Sequence, residues 1–287
     1  MSRDEVIRVG REGARGDGAV RGGVVATVTL DRPDKLNALD RAAWRRLGEV
    51  FGELNAATDL RCIVLSGAGG RAFSAGADIT KFPEERANAE QAAAYGRDMD
   101  AAIEAIAGGT HPTIAAIDGL CVGGGLEIAC ACDLRICSAS SRFGIPINRL
   151  GLTMGWGELR ALLSVVSAPV AREILYTGEL FDAARAQQMG LVNRVVGDGG
   201  GKDGGGGDDG VVGDSGALAA AHGLAARIAA GAPLVNRWHK QFIRRLADRA
   251  PLTDGEIAEA WAAFDTEDFR RGYRAFLQKT KPEFDGD

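Results

Sequence analysis

The sequence predicts an α/β fold, in which short buried strands alternate with helices along the first half of the chain. Three runs, at residues 62–66, 113–117 and 134–138, are short and largely apolar, which is typical of strands buried on both faces. Segments with apolar residues at helical spacing separate these runs, and beyond about residue 146 the pattern becomes mostly helical. This order favours parallel pairing of the strands, with helices packed on the sheet.

The remaining elements follow from local patterns. Residues 6–9 and 24–30 are β-branched runs bounded by glycine, so they are predicted to be paired strands. The first helical pattern follows Asp40, a suitable N-cap residue. The predicted helices span residues 40–56, 87–106, 124–132, 158–166, 169–176, 183–189, 217–230, 234–250 and 257–277, and a further strand is predicted at 191–196.

A low-complexity run of glycine and aspartate divides the chain. Residues 197–210, with the sequence GDGGGKDGGGGDDG, contain no apolar side chain whose burial would offset the entropy of ordering. We therefore expect a flexible linker at 197–210. It separates a core at residues 1–196, which carries the functional site, from a C-terminal helical region at residues 211–287.

Composition excludes several classes of protein. The chain has 287 residues, of which 46% are hydrophobic and 25% charged, as in a globular protein with a sizeable core. A net charge of -5 gives no sign of a nucleic-acid-binding surface. The most apolar window, residues 113–132, contains Asp118, Glu127 and four glycines, so it predicts strand, turn and helix instead of a membrane span. The N-terminus lacks the apolar segment of a signal peptide, and we expect a cytoplasmic protein.

Cysteine and histidine usage gives no sign of a metal site. The five cysteines include no C-x-x-C pair, and the chain has only three histidines. This pattern favours reduced thiols in the core of a cytoplasmic protein over a disulfide framework or bound zinc. We expect no metal.

Two glycine-containing loops are the strongest candidates for a ligand site. Residues 72–79 follow a strand and are small, so their backbone can approach a ligand closely. Residues 119–128 contain three consecutive glycines and then open a helix, whose N-terminal N–H groups and dipole favour negative charge. Tight packing would also explain a single turn of this kind. The spacing does not match the G-x-G-x-x-G fingerprint and there is no P-loop, which argues against a nucleotide-dependent oxidoreductase.

These two loops, with Glu127 one turn after the glycines, resemble the crotonase (enoyl-CoA hydratase/isomerase) superfamily. Matching stretches occur in the family's order along nearly the whole chain, at residues 31–33, 36–39, 72–78, 113–119, 123–129, 132–135, 142–146, 190–193 and 276–284. The resemblance implies a spiral of β-β-α units, with C-terminal helices that assemble a homotrimer or homohexamer. It also implies an acyl-CoA substrate, with coenzyme A as part of that substrate and no separate cofactor.

The resemblance assigns roles to individual residues. The backbone N–H groups of Ala77 and Gly124 would form an oxyanion hole for a thioester enolate, where one such donor is typically worth about 3–4 kcal/mol of the barrier. Glu127 would be the catalytic acid/base, although a glutamate in a first helical turn also interacts with the helix dipole. Residues implied in substrate binding are Lys35, Ala75, Asp78, Ile147, Asn148, Trp156 and Lys281. Lys35 and either Lys281 or Lys279 would be partners for the phosphates, and Trp156 would lie in the wall of the acyl pocket.

One departure from the family pattern concerns the second catalytic carboxylate. Ile147 occupies the position at which hydratases of this family carry a second glutamate, and isoleucine cannot transfer a proton. Asn148 and Glu158 are nearby substitutes, but a carboxylate at a helix start is more often exposed, and the sequence favours that interpretation of Glu158. Hydration, double-bond isomerisation and decarboxylation therefore remain open, as does a catalytically silent acyl-CoA-binding subunit.

Overall fold

The computed structural model describes residues 6–13, 23–198 and 216–287. The strands are β1 (Ile7–Gly13), β2 (Val24–Leu30), β3 (Leu60–Gly67), β4 (Ala72–Ser74), β5 (Thr113–Ile117), β6 (Leu120–Val122), β7 (Leu134–Ser138), β8 (Arg142–Gly144), β9 (Phe181–Asp182) and β10 (Arg194–Val196). The α-helices are α1 (Arg41–Asn55), α2 (Phe82–Glu85), α3 (Ala89–Ala107), α4 (Gly124–Ala131), α5 (Trp156–Val165), α6 (Ala168–Thr177), α7 (Ala183–Gln188), α8 (Ala217–Ala229), α9 (Pro233–Ala247), α10 (Asp254–Glu259) and α11 (Glu267–Gln278).

The main sheet has six strands in the order β1-β2-β3-β5-β7-β10. β1 pairs antiparallel with β2, whereas every other neighbouring pair is parallel. Helices α1 and α3 bury their apolar faces against this sheet, with Trp44 and Phe51 among the fully buried residues. The predicted α/β class is confirmed, and Asp40 caps α1 by accepting a hydrogen bond from the Ala43 N–H.

A second sheet, in the order β4-β6-β8-β9, is absent from the sequence prediction. Its strands have only two or three residues, which is too short to display a period-two alternation. β4, β6 and β8 each follow a strand of the main sheet after a short turn, and each is followed by a helix. This repetition is the spiral of β-β-α units that the resemblance implies. It places the residues that follow β4 and β6 side by side.

Helix α8 packs on the face of the main sheet opposite α1 and α3. Its alanines at every fourth position, which are Ala217, Ala221, Ala225 and Ala229, are buried against residues of β2, β3, β5 and β7. Small side chains on one stripe let the helix axis lie close to the strands. The predicted C-terminal region therefore begins with a helix that shares a core with the sheet. Of the predicted linker, residues 199–210 lie outside the described residues.

The long helix predicted at 257–277 is wrong. The chain forms α10, a 3-10 turn at Ala262–Asp265 and then α11. Thr266 explains the break, because its hydroxyl accepts a hydrogen bond from the Phe269 N–H and so starts a new helix. The apolar pattern continues across Thr266, so periodicity alone predicted one helix. The signal for two helices was Thr266 itself, a suitable N-cap residue.

Within the described ranges, no single helix is long and apolar enough to cross a membrane. The bent pair α8 and α9 meets the length and composition criteria together, with an angle of 108° between the two helices. The apolar stripe of α8, however, is already buried against the main sheet.

Candidate active site

Two backbone segments touch at the centre of the molecule, one after β4 and the other after β6. Gly76 has a φ of 85°, a conformation that L side chains rarely adopt. A Cβ added at Gly76 would lie 2.7 Å from the nitrogen of Gly124 and 2.9 Å from the carbonyl oxygen of Val122. Because real Cβ atoms do not approach that closely, only glycine permits this contact. The first segment is therefore held directly against the N-terminus of α4.

Hydrogen bonds fix the first segment. The Leu39 N–H donates to the Gly76 carbonyl, and the Asp78 N–H donates to the Leu39 carbonyl, each at 2.8 Å. Ser74 braces the turn, since its hydroxyl donates to the Asn37 carbonyl and accepts from the Gly76 N–H. In this parallel bridge the Ala77 N–H points away from Leu39. It makes no hydrogen bond within the described part of the chain, and Ala77 lines a cavity.

The second segment supplies another N–H group to the same cavity. Gly124 is the first residue of α4, so its N–H has no acceptor within the helix. The dipole of α4 adds positive potential at this end. Gly124 and Ala77 both line the cavity, whose volume is about 110 Å³. The predicted pair of donors is thus brought together, and its role as an oxyanion hole stays a prediction.

Glu127 lies one turn further along α4 and also lines the cavity. The residue is 4% exposed, and its Oε2 atom has no hydrogen-bond partner among the described residues. Burial, with a further contribution from the charge of Glu158, raises the pKa of Glu127 to about 8, although Arg86 opposes the shift. Glu127 is therefore largely protonated at neutral pH, a state that suits a general acid.

The expectation that Glu158 is a surface carboxylate is wrong. Glu158 is 4% exposed and lines the same cavity, because α5 packs against both α3 and α4. Burial raises its pKa, while a hydrogen bond from the Gly155 N–H lowers it and the charge of Asp100 raises it. That backbone donor stabilises the ionised form, and Glu127 has no equivalent donor. The two environments thus favour a proton on Glu127 and a charge on Glu158.

Trp156 does not lie where the sequence predicted. The residue is 86% exposed and is not among those that line the cavity. Two residues along a helix correspond to a rotation of about 200°. Since Glu158 turns inward from the first turn of α5, Trp156 turns outward. The cavity wall is instead formed by Ile147 and other apolar residues, which are Ile79, Phe82, Met99, Leu150, Leu152 and Met154.

The other predicted contacts fall into two groups. Ala75 and Ile147 line the cavity. Asn148 lies outside it, and its amide donates to the Tyr176 carbonyl at 2.8 Å. Lys281 is exposed in the C-terminal tail. The structure does not bring Asn148 or Lys281 to the cavity of this chain.

Asp78 and Lys35 form an ion pair at the edge of the site. The Lys35 ammonium donates to Asp78 at 2.8 Å, and Arg32 and Thr80 also donate to this carboxylate. Burial alone would raise the pKa of Asp78, but the hydrogen bonds from Lys35 and Thr80 outweigh burial and lower the pKa to about 2. Asp78 is thus an ionised anchor of the loop after β4. The Lys35 side chain remains 41% exposed, so its predicted contact with a phosphate stays open.

Sequence analysis missed two charged residues, Arg86 in the cavity wall and Asp100 beside the cavity. Arg86 lines the cavity, with its guanidinium 4.9 Å from the ring centre of Phe82 and 4.8 Å from that of Tyr95. Asp100 lies on α3, with a buried Oδ1 atom that has no partner in the described ranges. Arg86 ends the charged run Phe82-Pro-Glu-Glu-Arg86, a pattern typical of a solvated surface. Its two aromatic neighbours become evident only in the folded chain.

No group of three or more His, Cys, Asp or Glu side chains within the described ranges has an arrangement that could hold a metal ion. All five cysteines are free and buried. Burial raises the pKa of the thiols of Cys62, Cys130, Cys132 and Cys137 to about 12 in each case, so these groups stay protonated in the core.

Comparisons with known proteins bear on the family and the fold of this chain. The family model for enoyl-CoA hydratase/isomerase matches residues 21–200. A short-chain-enoyl-CoA hydratase of Clostridium acetobutylicum is 32% identical over 91% of this chain and 94% of that protein. An (E)-benzylidenesuccinyl-CoA hydratase of Thauera aromatica is 36% identical over 91% of this chain and 96% of that protein. The crystal structure of an enoyl-CoA hydratase/carnithine racemase from Magnetospirillum magneticum superposes with a TM-score of 0.87 at 43% identity, covering 99% of this chain and 96% of that one.

The raised pKa of Glu127 predicts a specific dependence of stability on pH. Between its ordinary value of 4.5 in the unfolded chain and about 8 in the folded protein, the folded state binds one proton more than the unfolded state. The free energy of unfolding should therefore fall as pH rises through this window, by at most about 1.4 kcal/mol per pH unit from this group. Glu127→Gln, which stays neutral, should remove that decline and be more stable than wild type at the upper end of the window.

Urea denaturation at intervals across this window measures the effect. Glu179→Gln, at an exposed glutamate, is the matched control and should follow the wild-type curve. Parallel curves for wild type and Glu127→Gln would contradict a raised pKa and would mean that Glu127 is ionised in the folded protein.

Proposed function

This chain belongs to the enoyl-CoA hydratase/isomerase family, and on that premise we propose that it adds water reversibly to the double bond of a 2-enoyl-CoA, with Glu127 and Glu158 as its two catalytic carboxylates. The observation that carries the proposal is the pair of buried carboxyl groups in one cavity beside two N–H groups of the backbone. No cofactor is required beyond the coenzyme A of the substrate.

The two N–H groups account for activation of the thioester. As a nucleophile attacks C3, the thioester carbonyl becomes an enolate and its oxygen gains negative charge. Ala77 and Gly124 both line the cavity, and we propose that their N–H groups stabilise that oxygen without reorganisation of the site. Stabilisation of this kind is typically worth about 10²–10³ in rate for each donor.

The two carboxyl groups account for the proton transfers. Glu158, which accepts a hydrogen bond from the Gly155 N–H, is the base that takes a proton as the water oxygen bonds to C3. Glu127 is the acid that gives its proton to C2 as the enolate collapses. After one turnover Glu158 holds the proton that Glu127 has lost, and transfer between these neighbouring groups restores the starting state. The reverse sequence removes water.

Double-bond isomerisation is a second candidate, favoured by one observation. Ile147, at the position of the second glutamate in family hydratases, faces the cavity and offers no proton donor. A single carboxylate can move a double bond by removing a proton from one carbon and returning it to another. In that case the ionised form of Glu127 would suffice, and Glu158 would take no direct part in the proton transfers.

Single substitutions separate these reactions. Glu158→Gln and Glu127→Gln should each lower the kcat for hydration by about 10²–10⁴, because each removes a general acid or base. Hydration is followed with crotonyl-CoA and with glutaconyl-CoA, by loss of the absorbance of the conjugated thioester. The exposed Glu179→Gln variant should retain wild-type activity.

The outcome for Glu158→Gln decides between the candidates. Fast hydration that does not change in this variant would contradict its role as the base. Isomerisation of a 3-enoyl-CoA that depends on Glu127 alone, with no hydration in the wild type, would replace the proposal by the second candidate.

The proposal includes assembly as a homotrimer or homohexamer, supported by the apolar surface of the C-terminal helices. Trp261, Phe264, Phe269 and Tyr273 form a chain of ring contacts, with centroids 6.2, 4.9 and 5.4 Å apart, and each is at least 40% exposed. Phe276, on α11, is 83% exposed. A patch of this kind is more typical of a protein interface than of a solvated surface.

Disruption of this patch should lower the oligomeric state. Phe276→Glu places a charge in the proposed interface and should shift the mass measured by light scattering toward that of a monomer. Gln278→Glu, at an exposed polar residue of the same helix, is the control and should leave the mass unchanged. A wild-type protein that is monomeric at all concentrations would contradict the proposed assembly.

A further inference from the structure

Arg86 is a cation in the cavity for which the proposed reaction has no use. Its guanidinium is held between the rings of Phe82 and Tyr95, which fix its position by cation–π contacts. Its Nε atom is buried and has no hydrogen-bond partner in the described part of the chain. A guanidinium has five donors in a planar fork, and a buried Nε–H that has no acceptor is unfavourable.

The carboxylates in and beside the cavity accept no hydrogen bond from the Arg86 guanidinium in the described ranges. Among the described residues, no ion pair joins Arg86 to Glu127, to Glu158 or to Asp100 beside the cavity, and Arg86 acts on the two glutamates through its charge alone. Glu127 is held protonated by burial, and Glu158 instead accepts from the Gly155 N–H. The guanidinium of Arg86 therefore has hydrogen-bond donors available to a ligand. The rest of the cavity wall is largely apolar.

We infer that Arg86 binds a carboxylate at the far end of the acyl group, so that the substrates are coenzyme A thioesters of short unsaturated dicarboxylic acids. The inference rests on the proposed function, because it takes the cavity to be the acyl site. A planar guanidinium matches a carboxylate through two parallel hydrogen bonds. The cavity of about 110 Å³ accommodates a short chain, and apolar residues such as Met99 and Met154 pack beside its methylene groups.

A carboxylate in this position would be stabilised in two ways. Its charge-assisted hydrogen bonds would replace those that the guanidinium loses with its water. Its negative charge would also lie next to the positive guanidinium, which the aromatic rings already hold in position. An apolar chain of the same size would leave Arg86 desolvated without a partner, which disfavours ordinary fatty acyl groups. Arg86 therefore serves as a specificity-determining residue.

Binding of unreactive ligands tests this inference without any turnover. Glutaryl-CoA ends in a carboxylate, and 5-methylhexanoyl-CoA has the same length and shape with an isopropyl group in its place. By titration calorimetry, wild type should bind glutaryl-CoA roughly tenfold or more tightly than 5-methylhexanoyl-CoA, as expected for a hydrogen bond to a charged group. Arg86→Met keeps an unbranched side chain between the two rings and should abolish this preference. Arg97→Met, at an exposed arginine of α3, should retain it.

Two results would overturn the inference. One is a wild-type protein that binds glutaryl-CoA no more tightly than 5-methylhexanoyl-CoA. The other is an Arg86→Met variant, folded by circular dichroism, that weakens both ligands equally, because Arg86 would then act through the fold or through the glutamates. A preference for glutaryl-CoA that Arg86→Met abolishes, in a protein that hydrates neither glutaconyl-CoA nor crotonyl-CoA, would sustain the carboxylate site and refute the hydratase proposal.

Discussion

The contact between Gly76 and the N-terminus of α4 is the constraint on which the site depends. Residues near each glycine leave no room for a side chain, since a Cβ at Gly124 would lie 2.9 Å from the Trp44 ring and one at Gly125 would lie 2.4 Å from the Ser74 carbonyl oxygen. Close packing of this kind resists small adjustments. The N–H groups of Ala77 and Gly124, which come from loops about 47 residues apart in the chain, are consequently fixed relative to each other before any ligand arrives.

The same contact determines the electrostatics of the cavity. By fixing α4 against the loop after β4, it buries Glu127 one turn beyond Gly124, and the packing of α5 on α4 then buries Glu158 in the same cavity. Two carboxylates buried in one cavity cannot both ionise at low cost, and the hydrogen bond from the Gly155 N–H favours the charge on Glu158. Arg86 offsets part of that charge but makes no ion pair within the described ranges, which leaves its donors available to a ligand.

Sequence analysis predicted the parts of this arrangement that are encoded locally. The strand at residues 24–30, the Asp40 cap and the two glycine loops each have a pattern confined to a few neighbouring residues, and the structure has all of them. Burial of Glu158, exposure of Trp156 and the position of Arg86 depend instead on how α3, α4 and α5 rotate against one another. That rotation is set by tertiary packing, and no pattern in the sequence of α5 distinguishes its inward face from its outward face at the first turn.

Exchange of the C2 proton of an acyl-CoA in heavy water reports on formation of the enolate itself, because it requires the enolate but neither hydration nor isomerisation. Gly76→Ala should lower the exchange rate of butyryl-CoA or glutaryl-CoA by about a hundredfold or more, since the new Cβ would separate the two N–H groups proposed to stabilise the enolate. Gly190→Ala is the matched control, because Gly190 also has a positive φ, of 77°, but has open space around it, and this variant should exchange at the wild-type rate. A folded Gly76→Ala protein that exchanges as fast as wild type would contradict the account.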